Sequence, residues 1–288
     1  MDHLTINRAN WDARADVHVG SRGYEVDRVT DPQWISRVVA FDLPRLGEVT
    51  GLEAVHLQCH LGTDTVSLAR LGARMTGLDL SPRSIHHARR IAAEAGVEVD
   101  YVVADVLDAA EMLGRGRFDL VYTGIGALCW VPDIRRWAST VRGLLRPGGR
   151  LFVRDSHPVL NSLVAQEVGH PHPDREQQPW ITGPGLATPS LELPYWEETE
   201  ALIWRDEYSY TGEEAVASPV SMEWNHALSE IVMAILDVGL ALELLVEHDS
   251  VPWDALPGLM VADDRGEFRL RDRPERLPAS FTLIARLT

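Results

Sequence analysis

The stretch from Val55 to Ser81 constrains the fold more tightly than any other part of the chain. Residues 54–57 are a short apolar run, which suits a buried parallel strand. A turn follows, with Gly62 near its end. Val66, Leu68 and Ala69 suit a short helix that stops near Gly72, and residues 74–78 read as a second strand ending on Asp79. A strand, turn, helix and strand with an acid at the tip belong to a nucleotide-binding α/β fold. There the acid is placed to accept hydrogen bonds from two ribose hydroxyls.

The alternation continues. Ser81-Pro82 is a helix start, Ile85, Ala88, Ile91, Ala92 and Ala95 keep helical spacing, and Gly96 closes the helix. Residues 99–103 form a third strand that delivers Asp105 and Val106, and residues 118–123 a fourth that ends on Thr123 and runs into the glycine-rich 124–130. A helix over 133–145, a turn over 146–150 and a fifth strand over 151–154 follow, ending on Asp155-Ser156-His157. Ligands of such sheets lie beyond the carboxyl ends of the strands. Upstream, residues 32–46 have helical spacing, preceded by a polar, aromatic segment with Trp11, His18 and Tyr24.

Residues 159–222 change character, with frequent proline, histidine and glutamate, and a loop of that length is usually functional or disordered. Residues 202–210 and 216–224 read as a strand pair, so this insertion is expected to form an antiparallel cap. His170 and His172 lack a third ligand placed by a regular element, and no metal site is expected. After Trp224-Asn225-His226, a helix with Leu228, Ile231, Val232, Ile235 and Leu236 on one stripe precedes strands over 241–247 and 280–286.

Composition removes several alternatives. The chain of 288 residues has 27 Lys+Arg, and every one is arginine. Without lysine there is no phosphate-loop lysine and no Schiff base to pyridoxal phosphate. The net charge of −16 argues against a nucleic-acid partner. No apolar run is long enough for a bilayer, the N-terminus is no signal peptide, and two cysteines give neither a disulfide framework nor zinc spacing. A cytoplasmic protein without a membrane partner is expected, as a monomer or homodimer.

The stretch 55–81 resembles the cofactor-binding core of class I S-adenosylmethionine (SAM)-dependent methyltransferases. Their first motif, acid-x-Gly-x-Gly-x-Gly, here reads His56, Leu57, Gln58, Cys59, His60, Leu61, Gly62. The Leu-Gln-Cys-His-x-Gly-x-Asp-Thr form is similar to a variant among small bacterial methyltransferases. Three further stretches are similar to that family: Leu-Arg-Pro-Gly-Gly-x-Leu at 145–151, Trp-Asn-His-x-Leu-x-Glu-Ile at 224–231, and Asn-x-x-x-Trp-x-x-Arg-Ala-x-x-His at 7–18.

The resemblance implies a doubly wound, Rossmann-like seven-stranded sheet with its last strand antiparallel. Residues 1–50 would form an N-terminal lid, 51–158 the SAM-binding core, 159–222 the inserted cap and 223–288 the rest of the sheet. It implies methyl transfer from SAM to a small molecule, with S-adenosylhomocysteine as product. Cofactor contacts are expected from Gln58, His60, Gly62, Asp79, Leu80, Asp105, Val106 and Thr123, with Asp105 facing the adenine. Tyr24 is either a cofactor or substrate contact or an aromatic packed under the lid. His157 and His226 are candidate bases near the acceptor, or else ties that hold a loop and a helix entry. Three rivals remain: a SAM-binding regulator without catalysis, a nicotinamide oxidoreductase, and a macromolecule methyltransferase. The oxidoreductase would need Gly-x-Gly-x-x-Gly, which is not matched.

Overall fold

A computed structural model describes residues 2–166, 188–211 and 214–288. The apolar runs become β1 (Glu53–Leu57), β2 (Arg74–Asp79), β3 (Val99–Val103), β4 (Phe118–Thr123) and β5 (Leu145–Ser156). Two hairpins follow, β6 (Leu163–Gln166) with β7 (Thr188–Leu191) and β8 (Leu202–Arg205) with β9 (Val220–Glu223). Next come β10 (Leu240–His248), a small pair β11 (Met260–Ala262) and β12 (Phe268–Leu270), and β13 (Ser280–Leu287). The main sheet has the order β10-β13-β5-β4-β1-β2-β3, and β13 runs antiparallel to both of its neighbours. β1 is central and pairs in parallel with β2 and β4. That position explains its nearly unbroken burial and its apolar sequence.

The helices are α1 (His3–His18), α2 (Arg37–Leu46), α3 (Thr63–Arg70), α4 (Pro82–Ala95), α5 (Ala109–Leu113), α6 (Ile134–Leu144), α7 (Pro158–Asn161) and α8 (Leu228–Asp237). One face of the sheet packs on α5, α6 and α8 through Trp137, Val141, Leu144, Ile231 and Ile235. The other packs on α2, α3 and α4 through Val39, Leu68, Ile85 and Ile91. Both faces are thus covered, as a parallel sheet requires. No described helix is long and apolar enough to cross a membrane.

Three sequence expectations need correction. The segment before residue 32 contains α1, capped by Asp2, whose carboxylate accepts from Thr5 N. It escaped the periodicity argument because its buried side chains are Asn7, Asn10, Arg14, Ala15 and His18, a polar stripe at helical spacing. α2 begins at Arg37, not 32, where the Ser36 hydroxyl caps Val39 N. The turn over 146–150 lies inside β5, as a register shift between the Phe118–Leu145 and Leu120–Arg150 pairs, with Gly148 at φ +79°. The paired strands expected in the insertion are β8 and β9, extended by a bridge between Tyr208 and Ala215. His170 and His172 lie outside the described residues.

Candidate active site

The loop leaving β1 has the backbone of a glycine loop without most of its glycines. Gln58, His60 and Gly62 have φ of +55°, +47° and +73°. The left-handed region is costly for side chains other than glycine and persists only where surroundings enforce it. Here the enforcing bonds are visible. His60 N donates to Asp79 Oδ2 (2.8 Å), and the Gln58 amide nitrogen donates to Ala127 O (2.9 Å). At Gly62 a Cβ would collide with the Tyr101 hydroxyl, so glycine is kept there for space as well as conformation.

Asp79 is buried at the tip of β2, and its other oxygen accepts from Ser81 N (2.8 Å). Burial raises its pKa to about 6, against the pull of the Ser81 and His60 N–H groups. Asp105 stands at the next strand tip, since Ala104 N donates to Asp79 O (3.0 Å). Its carboxylate caps the following turn by accepting from Leu107 N (3.1 Å). Leu80 is half-buried and Val106 is buried beside these acids in sequence. Thr123 ends β4 fully buried, and its hydroxyl has no hydrogen-bond partner among the described residues; the same holds for Gln58 Oε1.

α1 crosses above this loop. His18 Nδ1 lies 2.8 Å from His60 Nε2, His18 Nε2 lies 2.5 Å from Ser209 Oγ, and His60 Nδ1 lies 2.9 Å from Ser84 Oγ. A single hydrogen-bonded chain therefore links α4, the β1 loop, α1 and the segment after β8. Burial lowers the pKa of His18 to about 3 and that of His60 well below the usual value, so both rings stay neutral near physiological pH. Tyr24 stacks on His18 at 5.1 Å, and its hydroxyl bonds that of Tyr210 (2.6 Å). Trp11 meets His60 and Trp130 edge-on at 4.9 and 5.0 Å. Asn7 exchanges two bonds with the Met222 backbone, both 2.8 Å, and Asn10 donates to Ser218 O (2.7 Å).

The loop after β4 is held from below by Asp155, which is buried. One carboxylate oxygen accepts from Gly126 N (2.6 Å) and the other from Ala127 N (3.2 Å) and Leu128 N (2.7 Å). Burial raises its pKa, opposed by these N–H groups.

The two candidate bases flank the β4 loop and the end of β5. His157 caps α7, its Nδ1 accepting from Val159 N (3.1 Å), while Nε2 faces Glu247 Oε1 on β10 at 2.9 Å. His226 Nε2 donates to Leu128 O (3.1 Å) and Val131 O (2.9 Å), and its Nδ1 faces Glu197 Oε2 at 2.7 Å. Both rings are almost fully buried, and His157 Nε2 and His226 Nδ1 each face a carboxylate without a well-formed hydrogen bond. His226→Ala should cost roughly 1–3 kcal/mol, because the Val131 carbonyl loses its imidazole donor and Leu128 O and Glu197 each lose one of two partners. Urea denaturation measures this, and a change below about 0.5 kcal/mol would show the ties to be idle.

The order of the sheet, with an antiparallel strand between β5 and β10, and the acid-tipped β2 beside the loop decide the architecture. The fold is that of the SAM-dependent methyltransferases. The methyltransferase-domain family model matches residues 55–151. A SAM-dependent methyltransferase structure from Mesorhizobium loti superposes with TM-score 0.56 at 22% identity, covering 87% of this chain and 98% of the other. The geranyl diphosphate C-methyltransferase of Streptomyces coelicolor A3(2), solved with S-adenosyl-L-homocysteine, gives 0.51 at 15%, covering 86% and 74%. Among curated proteins, the ubiquinone biosynthesis O-methyltransferase of Xanthomonas euvesicatoria pv. vesicatoria is 41% identical over 123 residues, 42% of this chain and 50% of that protein. The one from Methylobacterium sp. (strain 4-46) is 37% identical over 124 residues, 42% and 47%. The chain thus spans about half the length of the curated relatives it matches.

In this methyltransferase fold, Tyr24, Gln58, His60, Gly62 and Asp79 are brought together, with Asp105 and Thr123 at adjacent strand ends, while His157 stands at the end of β5 and His226 at the entry to α8. Arg14 entered the sequence reading only within the 7–18 motif, Asp155 only as the end of the fifth strand, and Ser209 and Tyr210 only within the 202–210 strand; none was read as a site residue. Arg14 and His18 share the 3–4 spacing of the Asn7–His18 stripe, which was the available signal.

Proposed function

We propose that the protein is a SAM-dependent methyltransferase acting on a small molecule. The observation that carries this reading is the left-handed backbone at 58, 60 and 62, locked by Asp79 through the His60 N–H. It supports reading Gln58 and His60 as a variant first motif whose loop still lets a ligand approach the backbone. The residues fit the cofactor: Asp79 for the ribose hydroxyls, Asp105 with Leu80 and Val106 around the adenine, and the unpartnered Gln58 Oε1 and Thr123 Oγ1 along the amino-acid tail. Tyr24 closes the site from the lid side.

When bound, the cofactor supplies an activated sulfonium methyl group, so the protein's task is orientation and exclusion of water. The β4 loop fixed by Asp155 would border the reacting end, and α1 with the segment after β8 would form the lid. His157 and His226 act here as positioning residues for β5 and for the β4 loop. The names of the curated relatives support a small-molecule acceptor.

Calorimetric titration with SAM and S-adenosylhomocysteine tests the reading. Micromolar binding is expected, and absence of binding to both, with binding of a nicotinamide cofactor, would replace it. The ribose contact needs an ionised Asp79, whose pKa is about 6. A proton therefore competes with the ligand. Affinity should be flat above about pH 7 and fall towards tenfold per pH unit below about 6. A flat profile down to pH 5 would remove Asp79 from the contact.

A further inference from the structure

A cavity of about 270 Å³ opens between residues 194–202, which lead into β8, and the end of β9. Its walls are held in place. The Asn225 amide nitrogen donates to Pro194 O (2.9 Å) and ties one wall to the other. Three residues on, Glu197 N donates to Glu230 Oε2 (3.0 Å), and the Glu197 carboxylate accepts from Ile134 N (3.0 Å). The backbone that carries Glu198 and Glu200 is therefore pinned at 194 and 197.

The lining is one-sided in charge. Glu198, Glu200 and Glu223 face the cavity, and no arginine or histidine lines it among the described residues. Glu223 is half-buried and accepts only a long bond from Ser221 Oγ (3.4 Å). Behind it stands Arg14, whose charge is shared with Asp206 at 3.7 Å, so one guanidinium faces two acids. Burial pushes the Glu223 pKa up to about 7, against the pull of Arg14. Two indoles complete the lining. Trp196 is largely exposed, whereas Trp224 is 6% exposed and its Nε1 has no hydrogen-bond partner among the described residues. Uncompensated carboxylates beside indole rings suit an organic cation, and a buried N–H without an acceptor suits an oxygen on the same molecule.

The cavity also has a specific position. Trp224 N donates to Cys129 O (2.8 Å), so its inner wall is bonded to the β4 loop, which would border the reacting end of the cofactor. We propose that this cavity receives the methyl acceptor, and that the acceptor is an organic amine held as its cation by Glu223, with Glu198 and Glu200 towards solvent. The acceptor role rests on the cofactor reading above. The ammonium is a handle, since a protonated nitrogen has no lone pair with which to attack a methyl group.

The test is an NMR titration of the protein, saturated with S-adenosylhomocysteine, using benzylamine, benzyl alcohol and benzoate. These put a positive, a neutral and a negative group on one ring. Benzylamine should bind roughly tenfold more tightly than benzyl alcohol, and benzoate most weakly. Glu223→Gln should weaken benzylamine about tenfold and leave benzyl alcohol within about twofold. Replacing both exposed acids, Glu198→Gln with Glu200→Gln, should weaken benzylamine about threefold, and this pair carries the test if Glu223→Gln does not fold. Equal binding of the three ligands, binding of none, or a preference that survives these replacements overturns the inference. S-adenosylhomocysteine is titrated alone beforehand. A protein that binds it but does not sort the three by charge keeps the cofactor reading and loses this inference. A protein that binds neither it nor SAM loses the cofactor reading, and the acceptor role with it.

Discussion

Asp79→Asn should abolish measurable cofactor binding while leaving the protein folded. The carboxylate is placed to take two ribose hydroxyls, and each charge-assisted bond contributes about 1.5–3 kcal/mol, so a loss of roughly 100-fold or more in affinity is expected. Stability should respond weakly. Asparagine gives up part of the His60 and Ser81 bonds, but it also removes a buried charge whose pKa has been driven up to about 6 by desolvation. A residue whose charge is unfavourable to the fold but required by a ligand has this signature. Calorimetry and thermal denaturation on the same sample separate the two effects. Affinity within about threefold of wild type would sink the assignment.

Asp155→Asn should do the reverse and damage the fold. The carboxylate is 1% exposed and accepts from three consecutive N–H groups of the β4 loop, and Ser156 N adds a fourth bond at 2.6 Å. Asparagine has one acceptor oxygen, and its amide hydrogens would face donors. The loss should reach roughly 3–5 kcal/mol, a large share of a typical domain's stability. Urea denaturation reads it directly, and a loss under about 1 kcal/mol would mean that the loop holds itself. The variant that still folds should keep its affinity for 5′-methylthioadenosine, because Asp79 and Asp105 are untouched.

These two acids show what sequence could and could not disclose. Asp79 was legible because a strand of apolar residues ends on it, directly after a strand–turn–helix unit. Asp155 also ends a strand, but its role depends on a loop far away in sequence, which no local pattern announces. The same division runs through the fold. β1, β2 and β4 were legible as apolar runs because inner parallel strands are buried on both faces. α1 was not, because the side chains it buries, Asn7, Asn10, Arg14 and His18 among them, are polar. At Gln58 and His60 the residue types alone argued against glycine-like backbone. Only the bonds that His60 N donates to Asp79 and that the Gln58 amide donates to Ala127 O explain why that backbone persists. His157 and His226 were correctly placed at a strand end and a helix entry, yet the carboxylates that their nitrogens face, Glu247 and Glu197, could be seen only in three dimensions.

The stitching of α1 to β9 by Asn7, and to the segment before it by Asn10, has a kinetic consequence. The roof over the β1 loop and the hairpin beside the β4 loop are one door, not two. If methyl transfer takes place beneath it, the spent cofactor cannot leave by one exit while the methylated product waits at another. Both departures would then share a single opening event, whose rate would set a ceiling on turnover. Loosening the tie at either asparagine should therefore speed release of both products together.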